Sequence, residues 1–141
     1  MRLPELINSG LYQDERGKLA FFNDLDLSGI KRIYSIEHQN TTIVRAWQGH
    51  KIEQKWFYVI KGKFKIVLVQ PDNWENPSLK QVTQEYHLAA ANDQILHVPG
   101  AYANGLQAME NNSKLIVFSS FNAQQSSEDN FRYDYRLWYN W

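Results

Sequence analysis

Short runs of alternating apolar and polar residues recur along the chain and predict an all-β protein. The clearest run is Lys63 to Val69, in which Phe64, Ile66 and Leu68 share one face while the lysines lie on the other. A two-residue period is typical of a strand with one buried face. Clusters of Gly, Pro, Asn, Asp and Ser separate the runs, which indicates a β-sandwich or barrel.

No segment shows the period of an amphipathic helix, and the predicted elements are all strands. They are Leu19 to Phe22, Arg32 to Glu37, Thr42 to Trp47, Lys55 to Ile60, Lys63 to Val69, Val82 to Leu88, Gln94 to Val98, Asn104 to Met109, Leu115 to Phe121 and Phe131 to Tyr135. The Lys61-Gly62 step predicts a hairpin turn. Loops are expected at Gln70 to Leu79 and at Asn122 to Asn130.

Composition and charge indicate one globular domain, residues 1–141, of 43% hydrophobic and 21% charged residues. Fifteen basic and fifteen acidic residues balance, so no bulk charge favours nucleic acid or anionic lipid as a partner. The lack of cysteine excludes disulfides and thiolate chemistry. Because the amino-terminal segment has no long apolar run, we expect a cytoplasmic protein that does not contact a membrane.

The carboxyl-terminal segment is rich in aromatic residues. Six of the residues from Phe131 to Trp141 are aromatic, and Phe131, Tyr133 and Tyr135 share a face if the segment is extended. We expect it to pack over the sandwich or against a second subunit, with a sugar-stacking platform as the alternative.

Two segments have the spacing of a known metal site. Gln48 and His50 are followed by Lys55 and, after six further residues, by Gly62, and a later segment runs from Pro99 to Asn104. This spacing resembles the cupin family, in which two His and a Glu precede the glycine and a third His follows a Pro-Gly turn. The resemblance implies a cupin-type double-stranded β-helix, also called a jelly-roll sandwich.

The residues at the ligand positions are unsuited to a divalent metal. Only His50 matches a cupin ligand, whereas Gln48, Lys55 and Asn104 replace the other two His and the Glu. Divalent metals need neutral imidazole or carboxylate ligands, and an ammonium group would repel the ion. We therefore expect no metal and no cofactor. Residues 48 and 50 have the same strand parity, so both side chains are expected to face one cavity.

A closer resemblance, over roughly residues 10 to 138, is to the RmlC-like cupins that modify deoxysugars. The segment Val44 to Lys51, VRAWQGHK, is similar to the Arg-Gly-x-His-x-His-Lys motif of WxcM-like sugar 3,4-ketoisomerases. The segment Val98 to Gly105, VPGAYANG, is similar to a Pro-x-Gly-x-Ala-His-Gly stretch of dTDP-4-dehydrorhamnose 3,5-epimerases. These families imply a homodimeric enzyme that isomerises or epimerises a dTDP-linked 4-keto-6-deoxyhexose in deoxysugar biosynthesis.

The resemblance also implies roles for individual side chains. Proton transfer next to a ketone needs a general base and a group that stabilises the enolate oxygen. These roles fall to His50 and Lys55, with Gln48 in the position of the family's first histidine. Arg45, assisted by Lys51, is expected to bind a diphosphate oxygen. Further substrate contacts are expected from residues near the last two motifs: Tyr102, Asn104 and Asn122.

Two replacements keep a second hypothesis open. Gln48 cannot abstract a proton, and Asn122 stands where the family's tyrosine acid is expected. The chain is then a nucleotide-sugar-binding cupin that has lost catalysis, and a metal-dependent cupin is the third alternative. Structural roles are also open, because Arg45 can pair with Glu37 or Glu53 across strands and Lys55 can face solvent.

Overall fold

A computed structural model describes residues 2–141, and its strands form two five-stranded antiparallel sheets and a separate hairpin. The strands are β1 (Glu5–Asn8), β2 (Gly10–Asp14), β3 (Gly17–Phe21), β4 (Arg32–His38), β5 (Val44–His50), β6 (Lys55–Lys61), β7 (Lys63–Val69), β8 (Thr83–Ala89), β9 (Gln94–Val98), β10 (Tyr102–Ala108), β11 (Ser113–Ser119) and β12 (Phe131–Arg132). The first sheet has the order β1-β9-β6-β11-β4, the second β12-β5-β10-β7-β8, and β2 pairs with β3. A 3-10 turn spans Ala90–Asn92, and a short helix, α1, spans Ala123–Glu128.

The core lies between the two sheets. Strand β7 contributes Phe64, Ile66 and Leu68 to it, as the alternation along that strand predicts. Phe57 and Leu115, from the first sheet, pack against these residues. The all-β prediction is therefore confirmed, and the predicted bounds of β7 and β9 match the structure.

The turn at Lys61-Gly62 does not make a hairpin, and that prediction is wrong. Strands β6 and β7 lie in different sheets, so the turn carries the chain across the sandwich. Gly62 has a φ of +71°, which an L side chain rarely adopts, and Ser113 occupies the space that a Cβ would need. The Lys-Gly step marks a tight turn correctly, but the pairing of the flanking strands depends on neighbours far along the chain.

The segment 122–130 is not the predicted loop, because it contains α1. The Asn122 side chain accepts a hydrogen bond from the Gln125 amide at 2.8 Å, and the Gln125 side chain accepts one from the Asn122 amide at 3.0 Å. This reciprocal arrangement is a capping box. A helix of six residues is too short for its period to stand out in the sequence. Strands β1 and β2 also escape the sequence analysis.

The aromatic carboxyl-terminal segment covers the outer face of the second sheet. Trp138 and Trp141 pack on Trp47, with ring centroids 5.3 and 5.6 Å away. Gly105 makes room for this layer, since a Cβ there would lie 2.5 Å from the Trp141 ring. Packing over the sandwich is therefore confirmed, although the predicted strand from Phe131 to Tyr135 is shorter in the structure.

Within residues 2–141, no helix combines the length and the apolar character needed to cross a membrane.

Candidate functional site

A cavity of about 750 Å³ opens between the two sheets where β4, β5 and α1 meet. Four of its lining side chains are cationic, namely Arg32, Arg45, Lys55 and Arg132, and Glu37 adds one carboxylate. Most of the other lining groups are neutral and polar or apolar. This excess of positive charge favours an anionic ligand.

An irregularity in β5 directs two predicted site residues into this cavity. Ala46 and Trp47 of β5 both lie opposite the single residue Gly105 of β10, which is the pattern of a β-bulge. Strict alternation would send residues 45 and 48 to opposite faces of the sheet. Because of the extra residue, Arg45 and Gln48 lie opposite Leu106 and Asn104, which share the inner face of β10, while the Trp47 ring packs on the outer face.

Lys55 begins β6 and faces the cavity floor rather than solvent. Its Nζ lies 2.8 Å from the Tyr34 hydroxyl oxygen and 3.4 Å from Oε1 of Gln48. It also lies 3.3 Å from Oε2 of Glu53. Lys55 thus donates two hydrogen bonds to neutral oxygens of the cavity lining and forms an ion pair with the Glu53 carboxylate. The catalytic role of Lys55 stays a prediction.

Tyr34 is a site residue that the sequence analysis missed. It lies on β4, lines the cavity and accepts the Lys55 hydrogen bond. Ile36 has the same strand parity and packs against the core, so the alternation along β4 was an available signal. The position of Lys55 relative to Tyr34, however, depends on the pairing of both strands with β11.

His50 does not line the cavity, although it is buried close beneath it. Its Nδ1 lies 2.7 Å from the carbonyl oxygen of Asp129. A carbonyl can only accept, so Nδ1 carries the proton of the neutral ring and Nε2 is the bare nitrogen. Burial lowers the pKa of His50, and the nearby Lys55 ammonium lowers it further, against an opposing effect of Glu53. Gln48 and His50 lie on the same face of β5, as their parity predicts, but of the two only Gln48 lines the cavity.

Arg45 and Asn104 both line the cavity. Arg45 donates from Nε to Nε2 of His38 at 3.1 Å. Burial, followed by the Arg45 charge, lowers the pKa of His38. Asn104 lies opposite Gln48 in the ladder between β10 and β5. A diphosphate-binding role for Arg45 stays a prediction.

Three other predicted contact residues lie outside the lining. Lys51 places its Nζ 4.9 Å above the Phe131 ring, and Tyr102 is buried in the core. Asn122 caps α1. The structure therefore does not bring these three side chains together with Gln48 and Lys55. Each of them is engaged in packing or in capping a helix.

The lining does not suit a divalent metal. No cluster of three or more His, Cys, Asp or Glu side chains that could hold an ion is found in residues 2–141. The positions that would carry cupin ligands present Gln48, Lys55 and Asn104 to the cavity. Amide and ammonium groups do not supply the anionic or imidazole ligands that such an ion requires.

Comparisons with known proteins agree with this architecture. The family model FdtA, described as WxcM-like, C-terminal, matches residues 2–140. The TDP-quinovose 3,4-ketoisomerase WlaRB of Campylobacter jejuni superposes with a TM-score of 0.71 at 18% identity, covering 94% of this chain and 95% of that one. A search of the curated proteins finds no match.

Two further solved structures have the same fold. A mutant of the 3,4-ketoisomerase QdtA of Thermoanaerobacterium thermosaccharolyticum, in complex with TDP-4-keto-6-deoxyglucose, gives a TM-score of 0.72 at 21% identity, covering 92% of this chain and 87% of that one. The dTDP-4-dehydrorhamnose 3,5-epimerase of Bacillus anthracis, with TDP and PPi bound, gives a TM-score of 0.74 at 16% identity, covering 94% of this chain and 79% of that one. The predicted cupin-type jelly roll is thereby confirmed.

Proposed function

Because the chain belongs to the WxcM-like, C-terminal family, we propose that it is a sugar-nucleotide isomerase or epimerase acting on a nucleotide-linked 4-keto-6-deoxyhexose. The nucleotide is expected to be dTDP, as in the complexes of the structural neighbours. The reaction proceeds by proton transfer next to the ketone, and side chains of the protein itself transfer the proton.

The observation that carries this proposal is the pairing of Tyr34 and Lys55 inside a cation-lined cavity. A nucleotide diphosphate brings negative charge, and a planar guanidinium can form two charge-assisted hydrogen bonds with it. Arg45 supplies such a group from β5, and Arg32 and Arg132 add positive charge at the α1 end. A volume of about 750 Å³ is within the range of small-molecule sites.

The proton transfer is assigned to Tyr34 rather than to His50, because the phenol lines the cavity and the imidazole does not. The proton leaves the carbon beside the ketone for the phenolate form of Tyr34, and the C–H electron pair forms the enolate. Return of the proton to the opposite face of the same carbon gives the epimer. For the isomer, the proton returns to the former carbonyl carbon while the proton of the neighbouring hydroxyl passes to the former ketone oxygen, so the ketone moves by one carbon without net redox change. The Lys55 ammonium stabilises the developing oxygen anion.

The remaining polar residues of the lining position the sugar. Gln48 and Asn104 face each other across the β5–β10 ladder and offer amide donors and acceptors to hydroxyl groups. His50 supports this wall from beneath, through its bond to the Asp129 carbonyl.

The test is solvent exchange. The protein is incubated with dTDP-4-keto-6-deoxyglucose in deuterated water, and the ring positions are followed by NMR and mass spectrometry. Deuterium is expected at a carbon next to the ketone, faster than in a sample without protein. Exchange at the background rate, with this sugar and with its epimers, would exclude the proposal.

The second hypothesis, a binding module without catalysis, is favoured by Gln48. Its amide donates to Oδ1 of Asn130 at 3.3 Å and cannot act as a base. In that case TDP raises the melting temperature, but no deuterium is exchanged. Appearance of exchange in Gln48→His would then indicate that a catalytic histidine has been lost from this position.

A further inference from the structure

Glu53 is a buried carboxylate below the cavity, in the loop between β5 and β6. Its side chain is 0% exposed, and neither carboxylate oxygen has a hydrogen-bond partner in the described part of the chain. Burying an ionised carboxylate is unfavourable unless nearby cations compensate its charge. The role of Glu53 therefore depends on which cationic groups lie next to its carboxylate.

The loop that carries Glu53 is held in place by one side chain at the end of α1. The backbone N–H groups of residues 51, 52 and 53 each donate to the Asp129 carboxylate at 2.8 Å. The Gln54 amide donates to Oγ of Ser120, also at 2.8 Å. Glu53 is thus placed beneath the cavity by contacts with residues far along the sequence, and its backbone has little freedom to move away.

Three nitrogen-bearing side chains surround the Glu53 carboxylate. Lys55 Nζ is the nearest, 3.3 Å from Oε2, and Arg32 Nη2 lies 3.8 Å from the same oxygen. Nδ1 of His50 lies 3.8 Å from Oε1, but its proton is directed to the Asp129 carbonyl. The neutral imidazole leaves Lys55 as the closest positive charge.

We propose that Glu53 is a positioning residue that holds the Lys55 ammonium beneath the Tyr34 hydroxyl. Its catalytic consequence rests on the function proposed above. Of the three oxygens around Lys55 Nζ, those of Tyr34 and Gln48 belong to the cavity lining and are neutral. Glu53 supplies the anion and is not part of the lining, so it acts through Lys55 rather than on the substrate.

Removing the Glu53 charge would leave Arg32 and Lys55 beside each other without their shared anion. The two cations repel, and the Lys55 side chain is then free to turn toward the cavity opening. The phenol and the enolate would lose a fixed ammonium partner, while Arg45 and Arg132, which are not ion-pair partners of Glu53, would stay in place to bind the nucleotide.

The matched test is Glu53→Gln, which keeps the size of the side chain and removes its charge. We expect kcat to fall by at least ~10-fold, with KM and the TDP-induced thermal shift within about 2-fold of wild type. Glu15→Gln makes the same chemical change at an exposed turn between β2 and β3 and is expected to leave both constants unchanged.

A spectroscopic readout separates this inference from the proposed function. A buried and hydrogen-bonded lysine ammonium exchanges slowly enough with water to give a ¹H–¹⁵N signal, which Lys55→Met would assign. The Lys55 signal is expected in wild type and in Glu15→Gln and is expected to be lost in Glu53→Gln. This result needs no turnover.

The outcomes are distinct. Lack of deuterium exchange in wild type, with loss of the ammonium signal in Glu53→Gln, refutes the proposed function and supports the positioning role. Exchange in wild type, with both signal and kcat retained in Glu53→Gln, refutes the positioning role alone.

If Glu53→Gln does not fold, the double variant Glu53→Gln/Lys55→Met removes both charges together. Its kcat is expected to equal that of Lys55→Met, and a further fall of about 10-fold would mean that Glu53 does not act through Lys55.

Discussion

The imidazole of His50 is held as a neutral ring with its proton on Nδ1. The Asp129 carbonyl accepts that proton, with 2.7 Å between Nδ1 and the oxygen, and Nε2 is buried with no hydrogen-bond partner among residues 2–141. Protonation would create a buried N–H with no acceptor, so desolvation keeps the pKa of His50 below its usual value. Burial also lowers the pKa of His38 and of His97.

We predict that the protein loses stability as the pH falls below about 6.5. The unfolded chain takes up protons on these histidines near that pH, whereas the folded chain resists until a lower pH, so acid favours unfolding. Urea unfolding at pH 7.5 and at pH 5.5 measures the difference. The His50→Asn variant keeps an N–H donor and cannot titrate. Its free energy of unfolding should therefore fall less between pH 7.5 and pH 5.5 than that of wild type, by up to about 1 kcal/mol. An equal loss in wild type and variant would contradict this account of His50.

Tyr34→Phe tests the assignment of the proton transfer, because it removes only the hydroxyl that accepts from Lys55. We expect the deuterium-exchange rate to fall by about 10² to 10⁴, with little change in KM. Tyr12→Phe, at an exposed position of β2, is the control and should exchange like wild type. An undiminished rate in Tyr34→Phe would return the base role to another group.

Helix α1 connects the capping residue Asn122 to the floor of the cavity. It contributes Ser126 and Ser127 to the cavity lining, and Asp129 at its carboxyl-terminal end holds the loop of residues 51–53. A helix this short depends on its caps, since few internal hydrogen bonds can form. The capping box therefore helps to position Asp129 and, through it, the loop of residues 51–53 beneath Lys55.

Variants at Asn122 distinguish capping from the predicted substrate contact. Asn122→Ala is expected to lower the free energy of unfolding by about 0.5–2 kcal/mol, because it removes the cap, whereas Asn122→Asp retains a capping oxygen and most of the stability. Chemical denaturation measures both. We expect TDP binding to weaken only in the variant that is destabilised. Loss of TDP binding in an Asn122→Asp variant that remains stable would instead support a contact between Asn122 and the substrate.

At the scale of the whole molecule, the two faces of the second sheet have different roles. Its inner face forms the core and one wall of the cavity, and its outer face is closed by the aromatic carboxyl-terminal segment. Gly105 provides space for this layer beside Trp141, and Gly49 leaves room for Trp74 as well as for Tyr133 of the layer. The homodimer, the single-domain boundary and the cytoplasmic location stay predictions.

Trp138→Ala should destabilise the fold while leaving the cavity intact. The ring contacts Trp47 and Tyr133, and its Nε1 donates to the Ser78 carbonyl at 2.8 Å. We expect a loss of about 2–4 kcal/mol in urea unfolding, with an unchanged TDP-induced shift where the variant is folded. Tyr135→Ala removes a ring that is 50% exposed and should cost less than about 1 kcal/mol. Equal losses would mean that the layer is not packed as described.

Features that depend on local pattern were predictable from the amino-acid sequence alone. Strands such as β7 follow from the alternation of side chains between the two faces. The motif around Gln48 carries the resemblance to the cupins, and the replacements at Lys55 and Asn104 are enough to argue against a metal site.

Which side chains contact one another depends on the packing of strands that are distant in the sequence. The bulge that turns Arg45 and Gln48 to one side requires the register of β10 against β5. His50 is hydrogen-bonded to the carbonyl of Asp129, 79 positions along the chain, and does not line the cavity. Glu53 lies in a loop without periodicity, and its place beside Lys55 depends on contacts with α1 and β4. Local patterns encode faces and turns, whereas contacts between distant segments arise only when the sheets pack together.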